Sequence, residues 1–365
     1  MGGRKVSYAR IVITLVAAIA AILCIDYLRR NFTSTSESEN SEPFAESYSL
    51  IETTTVNPDE DVQDYIPEVH IDMDMYVPVE MAYENIAKGE LSLVSKSHKS
   101  TFPDIEDELI TFPYRTERTY RVTDYFELKL YESAVEAIEN MLGDFYNETD
   151  CHDITISSGY RNEEKQNELI QTGYTKDEAG SSEHHTGYAF DFKVVTDDMK
   201  ISNLENKDIF SWIYENCYKY GIVQRYTEDK AYVTDMLARS YHFRYVGIPH
   251  AYYMHENNLC LEEYIELLQD YSFDKKHLEI NTGRSLYEVY YVKAQEGTTS
   301  VYVPKNSEYS VSGNNIDGFI VTVLKSNNVS SGAVTSVSEE ISDSGESEII
   351  NSDTASDETV VNSDN

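Results

Sequence analysis

Apolar and polar positions alternate with different periods along this chain, and the changes of period mark out its parts. Ile11 to Leu28 is apolar except for Thr14 and Asp26. At about 1.5 Å per residue a helix of that stretch is about 27 Å long, close to the thickness of a bilayer core. Arg4, Lys5 and Arg10 precede it, and Arg29 and Arg30 follow. The excess of basic side chains on the amino-terminal side predicts that the N-terminus stays inside and the remainder outside. A cleaved signal peptide ending near Ala18-Ile19-Ala20 is the alternative, but the apolar run continues past a usual signal core. Leu23 stands before Cys24, where a lipoprotein site requires a small residue.

The next periodic segments lie far downstream. Between Leu130 and Asn147, Val135, Ile138, Leu142 and Phe145 recur at helical spacing and predict an amphipathic helix. Asp153 to Ser157 alternates as a strand, and Ser158-Gly159 ends it. Glu163 to Gln171 reads as a second helix. Ile209, Trp212, Ile213 and Cys217 mark a third, closed by Gly221. His242 to Val246 reads as a strand and Leu261 to Tyr271 as a helix. Beyond Ser272 the pattern turns β-like at 287–292, 300–303 and 318–323. No internal repeat is evident. Helices and strands in this order predict an α+β fold with a small β-rich C-terminal appendage.

Charge separates the folded part from its flanks. The chain holds 65 Asp and Glu against 29 Lys and Arg, a formal net charge of -36, which argues against a nucleic-acid partner. From Asn31 to Ala87 there are 14 acidic residues and no Lys or Arg, and the Ser/Glu-rich first half reads as a solvated tether. The last forty residues, from Ser326, carry nine acidic residues and no basic one, and read as a disordered tail. The expected layout is a cytoplasmic N-terminus at 1–10, a transmembrane anchor at 11–28, a tether at 29–75, a folded domain at 76–271, the appendage at 272–325 and the tail at 326–365. Cys151, Cys217 and Cys260 lie outside the span and allow at most one bridge, with the pairing open. No Cys-x-x-Cys occurs, so a thiolate zinc site is not expected.

One segment concentrates chemistry: Ser181-Ser182-Glu183-His184-His185-Thr186-Gly187-Tyr188-Ala189-Phe190-Asp191-Phe192. A His and a tight Gly lead into an alternating strand. Tyr188, Phe190 and Phe192 pack on one face, and Ala189 and Asp191 share the other. A buried Asp191 needs a partner, because unpaired buried charge is expensive, and a divalent cation is one such partner. By itself the His-x6-Asp spacing carries little.

The wider constellation carries more. Ser158-Gly159-Tyr160-Arg161 opens a helix that contains Gln166. Ser182-x-His184-x-x-Gly187-x-Ala189-x-Asp191 follows, and then His242-Phe243-Arg244-Tyr245-Val246-Gly247. These three blocks, in this order, resemble the VanY-type D-alanyl-D-alanine carboxypeptidases of the lysostaphin/D-Ala-D-Ala/Sonic hedgehog zinc metallopeptidases, over roughly Leu91 to Tyr271. The resemblance implies a central antiparallel sheet with flanking helices. It also implies zinc held by His184, Asp191 and His242, with a fourth position left for water. Arg161 matches the arginine that grips a substrate carboxylate, and Gln166 and Ser182 fall at positions that support substrate binding. His185 is then a wall residue.

One position departs from the family. The general-base Glu normally stands three residues before the last zinc-binding His, and here that residue is Arg239, in Arg239-Ser240-Tyr241-His242. Arginine stays protonated and cannot accept a proton. Glu183 and Asp235 are the nearest acidic residues in sequence. If its neighbours alternate, Glu183 points away from the metal. The apolar span and the resemblance together imply a membrane-anchored, extracytoplasmic zinc carboxypeptidase acting on peptidoglycan stem peptides. The alternative is a catalytically silent module that binds those stems.

Overall fold

The computed structural model describes residues 71–113, 119–124 and 127–327. The expected membrane span, all but the last residues of the tether, and the acidic tail past 327 lie outside the described residues. Among the described residues no helix is long and apolar enough to cross a membrane.

A six-stranded sheet carries the site. Its path runs Arg121–Val122, Ile154–Ser158, Ala189–Val195, Arg239–Tyr245 and Ile222–Tyr226, with Ile201–Asn203 paired beside Ala189–Val195. The first pair is parallel and the rest are antiparallel. Against one face lies the helix Glu132–Thr149, whose Val135, Ile138, Leu142 and Phe145 are buried as their spacing predicts. They share a core with Phe190, Phe192 and Phe243, which have no exposed surface. Each such ring stabilises the fold by roughly 1.5–3 kcal/mol relative to exposure. The mixed α+β architecture expected from the sequence is present.

The helix expected across Ile209 to Cys217 is broken. A 3-10 turn at Asp208–Phe210, a short helix at Ser211–Asn216 and a second 3-10 turn at Cys217–Tyr220 replace it, and Gly221 ends the run at φ 76°. The aromatic and β-branched residues there lose rotamer freedom in a regular helix. They are turned instead into an aromatic cluster in which Phe210 and Trp212 meet Phe145. The helix starting at Leu261 stops at Leu268, because the Tyr271 carbonyl accepts from the Tyr291 amide of a neighbouring strand.

The C-terminal region forms a four-stranded sheet in the order Leu278–Asn281, Ser285–Lys293, Gly318–Asn327, Tyr309–Gly313. Thr298–Pro304 pairs with Tyr76–Ala82, so chain from before the central sheet closes the β-rich region. The two parts also share a core in which Leu261, Ile265 and Leu268 pack with Leu278, Ile280, Val289 and Ile320. His250 bridges them, with Nδ1 2.8 Å from the Tyr264 hydroxyl and Nε2 2.9 Å from Thr322 Oγ1. Cys151, Cys217 and Cys260 are free thiols.

Candidate metal centre

The site begins with strand register. Asp191 and His242 are direct antiparallel partners, and Ser158 lies opposite Asp191 on its other side. Cross-strand partners project their side chains from the same face about 4.5–5.5 Å apart. Residues separated by 51 positions in sequence are thereby brought together, with His242 Nδ1 2.8 Å from Asp191 Oδ1.

His184 arrives from a 3-10 turn, Glu183–Thr186, placed just before the Asp191 strand. Gly187 ends that turn at φ 75°, and a Cβ there would lie 2.9 Å from Leu109 Cδ2. Only glycine meets both demands, the left-handed backbone and the close approach. The His184 Nδ1 lies 2.7 Å from the Gly159 carbonyl, which aims Nε2 at Asp191 Oδ2 at 3.3 Å. His184, Asp191 and His242 are all buried, and their ligand atoms lie within 4.8 Å of one another.

The electrostatics favour a cation at this point. Burial and the neighbouring Arg161 push the His184 imidazole down to about 4, so at neutral pH it is a lone-pair donor. Burial alone would raise the Asp191 carboxyl, but His184 and His242 hold it well below the usual carboxylate range. Two imidazoles and one carboxylate, converging and shielded from water, form a donor set suited to zinc with a position to spare. Their outer atoms are also engaged, as metal-binding histidines require: His184 by Gly159, and His242 by Glu183 Oε2 at 3.2 Å.

Arg161 stands beside the triad, buried, with Nη2 3.5 Å from Asp191 Oδ2. Ser158 Oγ accepts from its Nε and Nη2, and Gln166 Oε1 accepts from Nη1 at 3.3 Å. Gln166 in turn donates to the Asp177 carbonyl at 2.7 Å. Arg161 lines a cavity of about 320 Å³ together with His184, Asp191, Asp177, Arg239 and Tyr174. A neighbouring cavity of about 490 Å³ shares Arg161 and Tyr174. Gln166 and Ser182, expected on the substrate side, line neither of these cavities. Gln166 braces Arg161 from behind, and Ser182 is buried at the start of the His184 turn. His185 is buried in the wall, with Nδ1 2.7 Å from the Arg161 carbonyl and Nε2 accepting from the Gly180 amide.

Arg239 lines the cavity, but it does not present a free positive charge there. Asp177 grips its guanidinium with both oxygens. Sequence reasoning missed Asp177, because the stretch Lys176-Asp177-Glu178 in a loop between helix and turn carries no pattern. Asp235 is an exposed partner of Lys96 at 2.9 Å and lines neither cavity. Glu183 has no exposed side-chain surface and faces the outer nitrogen of His242, along with Arg225 and Arg244. The Tyr226 ring stacks on His242 at 5.1 Å between centroids and 13° between planes. Arg244 stood in the His242-Phe243-Arg244 block, yet nothing in sequence signalled its partner.

Known proteins resemble this chain in sequence and fold. The family model "VanY: D-alanyl-D-alanine carboxypeptidase" matches residues 127–248. A D-alanyl-D-alanine carboxypeptidase of Enterococcus faecium is 32% identical over 245 residues, covering 66% of this chain and 77% of that protein. A bifunctional D-Ala-D-Ala dipeptidase and D-Ala-D-Ala carboxypeptidase, VanXYC of Enterococcus gallinarum, is 33% identical over 129 residues, 32% of this chain and 68% of that one. Among solved structures, the vancomycin-resistance D,D-dipeptidase VanXYg in complex with a D-Ala-D-Ala phosphinate analogue superposes with a TM-score of 0.60 at 28% identity. It covers 69% of this chain and 100% of that one. The chain belongs to the VanY D-alanyl-D-alanine carboxypeptidase family.

Proposed function

We propose that this protein is a zinc carboxypeptidase that removes the C-terminal D-amino acid from peptidoglycan stem peptides. In this reading residues 11–28 anchor it in the cell membrane, and the domain acts on the extracytoplasmic side. The observation that carries the proposal is the convergence of His184 Nε2, Asp191 and His242 Nδ1 beside the buried Arg161. Zinc held by those three side chains supplies Lewis acidity toward the scissile carbonyl and lowers the pKa of water.

The chain's own residues supply the rest. Arg161 is prepaid in position by Ser158 and Gln166, and those bonds engage three of its five N–H groups. The N–H groups that remain, on Nη1 and on the Nη2 that lies 3.5 Å from Asp191 Oδ2, would take a terminal carboxylate, which sets the scissile bond against the triad. Tyr174, on the boundary of both cavities, offers an apolar wall to the stem.

Arg239 favours a second reading, a module that binds stems without cutting them, since a guanidinium takes no proton from water. One experiment separates the two. The zinc-loaded protein is incubated with a stem pentapeptide and followed by mass spectrometry. Loss of one C-terminal residue, abolished in His184→Ala, supports the carboxypeptidase. An intact peptide that nevertheless binds with Arg161-dependent affinity supports the silent module.

A further inference from the structure

We infer that Glu183 is a positioning residue for the metal, holding the His242 ring so that Nδ1, and not Nε2, faces the ion. This inference rests on the zinc reading above and deepens it.

A neutral imidazole carries a single ring proton, and only the nitrogen without it can ligate. His242 Nε2 is 3.2 Å from Glu183 Oε2, while its Nδ1 is turned toward Asp191. An ionised carboxylate can only accept. Glu183 therefore keeps the proton on Nε2 and leaves the Nδ1 lone pair for the cation. The ring plane is held from a second direction by the stacked Tyr226.

Glu183 can be ionised without any exposed surface because two equally buried cations surround it. Its Oε1 accepts from Arg225 Nε at 2.8 Å and from Arg244 Nη1 at 3.1 Å. Both arginines bind the same oxygen, so Oε2 is left to the imidazole. Each arginine is fixed at its other end. Arg225 Nη2 donates to Glu262 Oε1 at 2.6 Å, and Arg244 Nη2 donates to the Glu90 and Ser92 carbonyls. A buried ion cluster of this kind adds little net stability compared with apolar packing, so its retention needs a reason other than stability. Orientation of His242 provides one. The tight turn gives Glu183 and His184 different tasks: His184 enters the triad, and Glu183 meets the outer nitrogen of the other imidazole.

The test uses the full chain with zinc alone as the probe. Zinc affinity is measured by competition with a chromophoric chelator for wild type, Glu183→Gln and Glu262→Gln. Glu262 belongs to the same ion cluster but does not touch His242, so it controls for loss of the cluster. The expected result is a zinc Kd raised about 10–100-fold in Glu183→Gln, the effect typical of losing a partner to a ligating histidine. Glu262→Gln should stay within about threefold of wild type. Unchanged affinity in a folded Glu183→Gln, or equal loss in both variants, overturns the inference. If Glu183→Gln does not fold, histidine ¹⁵N NMR of the zinc-loaded wild type decides it. A His242 signal, identified by its loss in His242→Asn, should show metal on Nδ1 and a proton on Nε2. Ligation through Nε2 contradicts the inference. If wild type binds no zinc at all, the metal reading itself fails. If wild type binds zinc and only this pattern is absent, the inference alone fails.

Discussion

The Arg239 guanidinium meets the Asp177 carboxylate fork to fork, Nη1 to Oδ2 and Nη2 to Oδ1, both at 2.7 Å. The pair lies on the wall of the cavity that His184 and Asp191 also line, and Arg239 is the residue that the family resemblance sets against a general base. Arg239 holds Asp177 below the usual carboxylate range, outweighing the effect of burial. The charge that Arg239 brings is thus cancelled locally rather than directed at the His184, Asp191 and His242 side chains.

That pairing decides how the base should be restored. Arg239→Glu alone sets two carboxylates against each other and leaves both unpaired. Its cost should fall between the about 1 kcal/mol of an exposed pair and the about 3 kcal/mol at which buried pairs begin, read as a lower denaturant midpoint. The exchange Asp177→Arg with Arg239→Glu keeps the ion pair and places a carboxylate at 239. Its kcat on a stem pentapeptide should exceed wild type by at least about tenfold, within the range general acid–base catalysis supplies. A swap that folds, binds zinc and is no faster than wild type refutes this placement of the base.

Arg161 should select substrates by a free C-terminal carboxylate. Removing one partner of a buried charge-assisted pair typically costs about 2–5 kcal/mol. Arg161→Ala should therefore weaken binding of the pentapeptide acid by more than about tenfold, and wild type should bind the C-terminal amide comparably poorly. Calorimetric titration of both peptides checks this, and equal affinity for acid and amide contradicts it.

Gly187→Ala should damage the metal centre without removing a ligand. The left-handed backbone costs a non-glycine residue about 1–2 kcal/mol, and the new methyl group also meets Leu109. The strained backbone and the crowding against Leu109 and Tyr131 should shift the turn, and His184 with it, relative to Asp191. Thermal melts with and without zinc should show both a lower apo Tm and a smaller gain on adding zinc. A lower apo Tm with the full zinc gain would mean that the turn does not set the ligand geometry.

His250 makes stability depend on pH. Burial pushes its imidazole down to about 3, against about 6.5 in an unfolded chain. Between those values the unfolded chain binds the extra proton, so this contribution is complete above about pH 6.5 and declines as pH falls toward 3. Going from pH 7 to pH 5, wild type should lose about 2 kcal/mol more than His250→Gln, at about 1.4 kcal/mol per unit below 6.5. Urea midpoints at the two pH values measure it. Parallel losses in both proteins would show that His250 is not buried neutral between Tyr264 and Thr322.

The sequence was legible where period and spacing encode structure. Val135, Ile138, Leu142 and Phe145 announced their helix, and the alternation of Tyr188, Phe190 and Phe192 with Asp191 gave both the core face and the site face of one strand. His184, Asp191 and His242 could be named from three blocks, although it is strand pairing across 51 residues that joins the last two. What stayed hidden depends on long-range contact. The strand Tyr76–Ala82 finds its partner only at Thr298–Pro304. Asp177 acquires meaning from Arg239, 62 residues away. Glu183 was expected to point away from the triad if its neighbours alternated; it lies instead in a 3-10 turn, and its partners Arg225, Arg244 and His242 lie on strands that no local pattern connects to it.

Metal analysis of the purified protein and two variants tests the central claim most directly. Wild type dialysed against buffered zinc should retain one equivalent per chain, and His184→Ala and His242→Ala should each retain less than about a tenth of that, since a site left with two protein ligands no longer holds zinc as three do. Zinc retained equally by both variants, or absent from the folded wild type, would contradict a metal centre built from His184, Asp191 and His242.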